Sequence, residues 1–215
     1  MFKKQFLALI CGIIFSFGFA PFDYWLLSIL SISVLYKTIK GMPPKEAFYT
    51  GYWFGFGMWL TGISWLYVSI HYHGEISIIG SALLISIFIS ILSIYSGLLL
   101  LLNSNLEKYG FQKLIYLSLP VSWVLIELIR SYLFTGFPWL ISGTMLADTL
   151  IDGYTPIIGA QGNTFFLVLI GVLLCEIYES FSQKRTALFP IIFLFIVLVP
   201  SSVLKNIEWT IPDNE

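Results

Sequence analysis

The sequence predicts an all-α protein, a polytopic bundle of about seven transmembrane helices. Of its 215 residues, 58% are hydrophobic and only 11% are charged, and the mean hydropathy is +0.88, values that fit no water-soluble globular class. A spanning helix needs about 20 mostly apolar residues, so the length accommodates roughly seven spans and no sizeable soluble domain. Short polar turns separate the apolar runs, and they hold most of the basic residues.

Proline, glycine and charged residues mark the ends of the apolar runs. Pro21 and Asp23 end the first run, because proline stops a helix and a carboxylate can cap the next one. In the third run, Gly51 and Gly55 stand four residues apart, a spacing that lets another helix approach closely in lipid. The predicted spans are residues 6–20, 24–39, 47–70, 76–102, 113–134, 163–178 and 187–204.

Positive charge predicts the orientation of this bundle. When the span ends are assigned alternately to two faces, only Arg130 and Lys205 fall on one face, and nine of the eleven basic residues fall on the other. By the positive-inside rule the basic face is cytoplasmic, which places the N-terminus in the cytoplasm and the C-terminus in the periplasm. The basic face holds Lys3, Lys4, Lys37, Lys40, Lys45, Lys108, Lys113, Lys184 and Arg185.

The stretch FTGFPWL at residues 134–140 interrupts the longest hydrophobic array, and a polar loop follows it as far as Gln161. Its bulky aromatic residues have two interpretations. They can anchor a re-entering chain at the membrane interface, where aromatic residues collect. Alternatively Phe137, Pro138 and Trp139 form an apolar rim that admits an acyl chain sideways from the outer leaflet.

Glu127 and Arg130 are ionisable residues inside the fifth predicted span. Unpaired charge there costs at least ~2.5–3.5 kcal/mol on insertion scales, and the i, i+3 spacing allows an ion pair. One interpretation is an outward-facing polar cavity in which Arg130 meets a lipid phosphate. The other is a structural pair that locks helices together. The residues alone do not separate these two.

Two further sets of residues are of types that can carry chemistry, the histidines and the cysteines. His71 and His73 end the third run, where packing or head-group contact is favoured over a metal site, because apart from Glu75 no ligand set accompanies them. Cys11 and Cys175 lie in apolar runs, where a thiol is a poor nucleophile. No catalytic arrangement, metal site or cofactor site is therefore predicted from the residues, and the absence of a basic patch argues against nucleic acid.

Several linked motifs resemble the apolipoprotein N-acyltransferases of bacterial inner membranes. They are GFAPFDYW at 18–25, GISWLYVSIHYHG at 62–74, SWVLIELIRSYLFTGFPWL at 122–140 and YTPIIGAQG at 154–162. The resemblance implies a multi-pass inner-membrane protein. It also implies transfer of an acyl chain from a phospholipid donor to the α-amino group of the N-terminal diacylglyceryl cysteine of a lipoprotein, through a covalent thioester in two half-reactions.

In that family a Glu-Lys-Cys catalytic group lies in a periplasmic nitrilase-like domain after the seventh span. None of the three has a counterpart in this sequence, so we expect residues 1–204 to form the membrane domain, residues 205–215 to be the truncated start of the missing domain, and the chain to be inactive alone. The resemblance implies six candidates for shaping the lipid and substrate entrance: His71, Glu127, Arg130, Phe137, Pro138 and Trp139.

Two functional hypotheses follow. The first is the membrane half of an N-acyltransferase, active when a separate chain supplies the nitrilase-like domain. The second is a non-enzymatic membrane protein that binds lipid or lipoprotein, or a decayed gene fragment. A small transporter is less well supported, because the sequence has no duplicated halves. A neighbouring reading frame for a nitrilase-like domain would favour the first hypothesis over the second.

Overall fold

The computed structural model describes residues 2–109 and 115–209, without the side chains of Ile115 and Phe134. These residues form seven helices of 15 residues or more and no strand, which confirms the predicted all-α class. The predicted cytoplasmic Lys113 and residues 210–215 lie outside the described residues. The helices are α1 (Phe2–Ser16), α2 (Trp25–Ile39), α3 (Pro44–Gly62), α4 (Ile78–Tyr109), α5 (Ile115–Tyr132), α6 (Thr155–Ser182) and α7 (Leu188–Leu204).

The third predicted span, 47–70, was wrong as a single helix. Helix α3 begins at Pro44, where a proline in the first turn costs no hydrogen bond, and it ends at Gly62. The chain then turns through Leu66–Val68 and a π-helical turn, Ser69–His73. A physical reason is that Leu140, from the loop between α5 and α6, packs against Gly62, where an added Cβ would lie 2.4 Å from Leu140 Cδ1.

The sixth predicted span began too late. Helix α6 starts at Thr155, not residue 163, with Pro156 in its first turn. Gly159 adopts φ 69° and ψ −179°, so the helix is kinked there, and only glycine takes this conformation readily. Residues 155–161, which were predicted as the end of a loop, therefore form the short first part of α6.

Six helices pack as a closed ring in the order α1, α2, α6, α5, α4, α3, and α7 packs outside it against α6. Rings of Phe15, Phe54 and Trp123 meet at the centre, with centroids 5.4–5.6 Å apart. Helices α3 and α4 approach closely at Gly51, where an added Cβ would lie 2.2 Å from the backbone oxygen of Ser96. The close helix approach predicted from Gly51 and Gly55 is thus confirmed.

Two helical segments, Ile78–Tyr109 and Asp152–Ser182, are long and apolar enough to cross a membrane by length and composition, and Trp25–Ile39 and Leu188–Leu204 are shorter apolar helices. Helix α4 also presents an outward stripe of large apolar side chains at helical spacing. Such a stripe is unfavourable in water and suits contact with lipid. The exposed residues of the stripe are Ile79, Leu83, Ile87, Ile91, Ile94 and Leu98.

The two ends of α6 have different chemistry. Near its C-terminal end, the Lys40 ammonium donates to the carboxylates of Glu176 and Glu179 and so joins α2 to α6. Burial lowers the pKa of Lys40, but the two hydrogen bonds and the attraction of both negative charges together hold that pKa above its ordinary value. Near its N-terminal end, α6 receives the loop that follows α5, which contains the aromatic stretch 134–140.

Candidate functional site

The aromatic loop, residues 134–140, leaves α5 through a 3-10 turn, Leu133–Thr135, and reverses at Gly136, which has φ 83°. A second 3-10 turn, Ser142–Leu146, follows it and packs against α6. Both turns are short, so the position of the loop depends on side chains that bond to its backbone. Two buried ionisable residues of α5 do this.

Arg130 binds the backbone carbonyls of the aromatic loop. Its Nη1 donates to the carbonyl oxygens of Phe137, at 2.7 Å, and of Trp139, and its Nη2 donates to that of Leu140 at 3.4 Å. The backbone N–H of Phe137 donates in return to the carbonyl oxygen of Arg130 at 2.9 Å. Only 4% of Arg130 is exposed, and its guanidinium carbon lies 5.0 Å from the ring centroid of Trp59. Charged hydrogen bonds of this kind hold the loop against the end of α5.

Glu127 accepts hydrogen bonds from three donors, two on the next turn and one on α6. Its Oε1 accepts the backbone N–H of Ser142 at 2.8 Å and the Ser142 hydroxyl at 2.6 Å, and its Oε2 accepts the Thr164 hydroxyl at 2.7 Å. Each hydroxyl in turn accepts an N–H, from Trp123 Nε1 at 3.0 Å and from Gly143 at 2.8 Å. Because both hydroxyls already accept an N–H, their hydrogens are free to point at the carboxylate, which is 5% exposed.

Glu127 and Arg130 therefore bind different backbone groups, according to their charge. The Glu127 carboxylate accepts hydrogen bonds from the turn, and the Arg130 guanidinium donates to carbonyl groups of the loop just before it. We call Glu127 and Arg130 the polar clamp. Within the described part of the chain no salt bridge joins their side chains, so the ion pair allowed by their spacing is replaced by these contacts. A contact between Arg130 and a lipid phosphate stays a prediction.

The clamp supports an exposed aromatic cluster. The Phe137 ring lies 5.8 Å from Trp59, 5.2 Å from Phe88 and 4.9 Å from Trp139, measured between centroids. Trp139 also lies 4.9 Å from Trp65. Phe137 is half-buried, but Trp139 is 42% and Trp65 50% exposed, and Pro138, the residue before Trp139, is also exposed. The outer edge of the loop is therefore apolar and open, while its inner edge is polar and buried.

His71 lies apart from this arrangement. Its Nδ1 is 2.6 Å from the carbonyl oxygen of Ile76, and its ring packs against Tyr67 and Tyr72 with centroids 5.3 and 4.7 Å away. Over residues 2–109 and 115–209, no cluster of three or more His, Cys, Asp or Glu residues is placed to hold a metal ion. Of the six predicted site residues, the structure brings together Glu127, Arg130, Phe137, Pro138 and Trp139, and the described contacts of His71 are to other residues.

Arg130 and Lys205, the two basic residues outside the predicted basic face, both bind the segment between α5 and α6. Arg130 donates to carbonyls of the aromatic loop, and the Lys205 ammonium donates to the carbonyl oxygens of Asp148 at 2.8 Å and Thr149 at 3.0 Å. Arg130 does so from a buried position and Lys205 from an exposed one.

Sequence reasoning missed Trp123, Ser142, Gly143 and Thr164. The available signal was small or polar residues, Ser142 and Gly143, directly after the apolar FTGFPWL stretch, and Thr164 at the start of a predicted span. Gly143 allows the turn to touch α6, because an added Cβ there would lie 1.8 Å from the carbonyl oxygen of Ala160 and 2.5 Å from Thr164 N. Nothing in the sequence indicated that these residues meet Glu127.

We expect Gly143→Ala to lower the free energy of unfolding by about 3 kcal/mol, the upper end of the usual cost of overpacking. The atoms that the new Cβ meets belong to backbone, which yields little. Thermal unfolding in detergent measures the effect. Thr144→Ala is the matched control, since the exposed Thr144 hydroxyl bonds only its own turn, at the carbonyl of Ile141. Equal melting temperatures for the two variants would contradict the close packing at Gly143.

Comparisons with known proteins identify the family. The family described as apolipoprotein N-acyltransferase N-terminal domain matches residues 11–173. An apolipoprotein N-acyltransferase of Pseudomonas aeruginosa is 34% identical over 205 residues, covering 95% of this chain and 40% of the relative. Those of Methylococcus capsulatus and Coxiella burnetii are 31% and 33% identical, covering 98% and 97% of this chain and 41% and 43% of the relatives.

The matches run along almost the whole chain, and they include the residues of the polar clamp and the aromatic loop. The chain spans about two fifths of the length of the curated relatives that it matches. The chain therefore belongs to the apolipoprotein N-acyltransferase family, of which it carries the N-terminal domain.

Proposed function

We propose that this chain supplies the membrane helices and the phospholipid entrance of an apolipoprotein N-acyltransferase. The reaction moves an acyl chain from a phospholipid to the α-amino group of the N-terminal diacylglyceryl cysteine of a lipoprotein. The observation that carries the proposal is the exposed aromatic loop held by a buried polar clamp, in a chain whose relatives bear this name.

The loop has the chemistry that an acyl chain requires. Trp65, Pro138 and Trp139 present an open apolar edge, and aromatic rings of this kind favour the boundary between lipid and water. On the buried side, Arg130 and Glu127 bind the backbone of the loop and of the turn after it, which fixes the position of this edge. A rigid apolar rim of this kind would orient an acyl chain that arrives sideways from the bilayer.

The proposal includes a topology. We place all seven helices across the bacterial inner membrane, with the N-terminus in the cytoplasm and the aromatic loop and Lys205 on the periplasmic side. Support comes from the outward apolar stripe of α4, from the two segments long enough to span and from the charge asymmetry of the sequence. Helices as short as α1 and α2 would cross only if flanking residues reach the interface or the bilayer thins locally.

We assign the steps that form and break bonds to groups that this sequence does not supply. By family resemblance, a nitrilase-like domain supplies a Glu-Lys-Cys group. Its thiolate would attack the ester carbonyl of the phospholipid, break the ester C–O bond and release the lysophospholipid, leaving a thioester. The lipoprotein amine would then attack this thioester, which forms the amide and releases the thiol. Residues of this chain would bind and orient the phospholipid. We assign no nucleophile to Cys11 or Cys175, both of which are buried.

An acyl-transfer assay tests the proposal. The purified chain, a phospholipid and a diacylglyceryl peptide are combined with and without a nitrilase-like domain from a relative. We expect transfer only when the domain is added, and a lower rate with Trp139→Ala but not with Trp53→Ala, which removes an exposed tryptophan of α3 far along the helix from the loop. No transfer by folded protein under either condition would favour a lipid-binding protein without this chemistry.

A further inference from the structure

A small cavity lies beneath the aromatic loop, between the two residues of the polar clamp. Its volume is about 30 Å³, and its lining includes Trp59, Ser96, Glu127, Arg130 and Ser142. A cavity needs about 10–15 Å³ on this measure to hold one water molecule, and the water needs two to four polar partners. The cavity therefore has the size and the polar partners for at least one water.

Trp59 supplies an independent observation. Its side chain is 1% exposed, and its indole Nε1 has no hydrogen-bond partner among the residues described. The other buried indole of this region differs, since Trp123 Nε1 donates to the Ser142 hydroxyl at 3.0 Å. A buried donor without a partner is rare in folded proteins and commonly pairs with an internal water.

The clamp has unused hydrogen-bonding capacity on the same cavity. A guanidinium has five N–H groups, and within residues 2–109 and 115–209 the Arg130 side chain donates three hydrogen bonds, all to loop carbonyls. The Glu127 carboxylate accepts three hydrogen bonds and has about four acceptor sites. A water in the cavity would accept hydrogen bonds from Trp59 Nε1 and from the Arg130 guanidinium and donate one to the Glu127 carboxylate, which gives the buried indole N–H a partner.

We propose that this cavity is an internal water site, in which a water bridges Trp59 Nε1 to the Arg130 guanidinium and the Glu127 carboxylate. The water would connect α3 to the clamp of α5, in addition to the stacking of Arg130 on the Trp59 ring. This water site deepens the proposed function and rests on it, because the water would help to support the same loop. The site itself concerns hydration and not acyl transfer.

High-resolution density of the full chain in lipid nanodiscs, bound to an antibody fragment, tests the site directly. We expect a peak about 2.7–3.2 Å from Trp59 Nε1, ordinary hydrogen-bonding distance. An empty cavity, in a map that resolves other internal waters, would overturn the proposal. Because the map is read without an assay, this result is distinguishable from a failure of the proposed function.

Two variants separate the role of the indole N–H from that of the ring. Trp59→Phe keeps an aromatic ring over Arg130 but removes the donor, and we expect the peak to be lost or displaced. Trp53→Phe removes an indole N–H of the same helix that does not line the cavity, so the peak is expected to persist. An unchanged peak in Trp59→Phe would overturn the part assigned to Trp59.

Discussion

Glu127→Leu is expected to lower the free energy of unfolding by about 3–5 kcal/mol, the cost of removing a buried charge and leaving its partners unpaired. The substitution removes the acceptor of the Ser142 N–H and of two hydroxyls, in a site that excludes bulk water. The Ser142 N–H has no way to turn away, whereas the Thr164 hydroxyl can turn toward the Ala160 carbonyl, 3.4 Å away. Thermal or chemical unfolding in detergent measures the loss.

Glu127→Gln provides the graded comparison. The amide keeps the shape and one acceptor oxygen, so we expect a loss of about 1–2 kcal/mol, the usual cost of impaired buried hydrogen bonds. Glu75→Gln is the matched control, because Glu75 is an exposed carboxylate at the turn before α4, and its melting temperature should equal that of the wild type. If Glu127→Leu unfolds at the wild-type temperature, Glu127 does not anchor the Ser142 turn.

Arg130→Met is expected to free the aromatic loop. The variant keeps an unbranched side chain but removes the donors to the carbonyls of Phe137 and Trp139, each charged hydrogen bond being worth about 1.5–3 kcal/mol. We therefore expect a loss of about 3–6 kcal/mol. Hydrogen exchange should become faster at residues 137–142, while the amides at the centre of α3 and α4 stay protected.

Arg130→Lys should give an intermediate result, because an ammonium has three donors and no planar fork that spans several carbonyls. Arg185→Met is the control, since Arg185 is exposed in the turn before α7, and hydrogen exchange in the loop should be unchanged. Equal exchange at residues 137–142 in wild type and Arg130→Met would show that the guanidinium does not hold the loop.

Much of the fold was predictable because hydrophobic runs and their breaks are local signals. Four of the seven predicted spans match helices to within about four residues at each end, and a fifth matches α4, which continues past the predicted end at residue 102 to Tyr109. The chain also turns at Pro21 and around Pro43 as predicted. Gly51 was also interpreted correctly, since a small residue at a helix surface has a direct packing consequence. The predicted bounds of the third and sixth spans were wrong. The third helix ends early at Gly62, which packs under Leu140, and the sixth begins early with a segment that is kinked at Gly159.

The candidate site was predictable only in part. Charge inside an apolar run singled out Glu127 and Arg130, and the aromatic stretch singled out Phe137 and Trp139. Their partners were not predictable, because Ser142 and Thr164 approach Glu127 from elements 15 and 37 residues away in sequence. Whether Glu127 and Arg130 form an ion pair was not predictable for a related reason. The i, i+3 spacing shows that two side chains can reach each other within a helix. It does not show that backbone groups of the following loop bind them instead.

The measurement that tests the central claim most directly is cross-linking with a phospholipid that carries a photoactivatable acyl chain. The purified chain in detergent receives about one probe per protein, and mass spectrometry maps the labelled residues. If the aromatic loop is the phospholipid entrance, label should concentrate on Trp65, Phe137 and Trp139. Label spread evenly over exposed apolar surface, including Leu83, Ile87 and Ile91 on the outward face of α4, would contradict the claim.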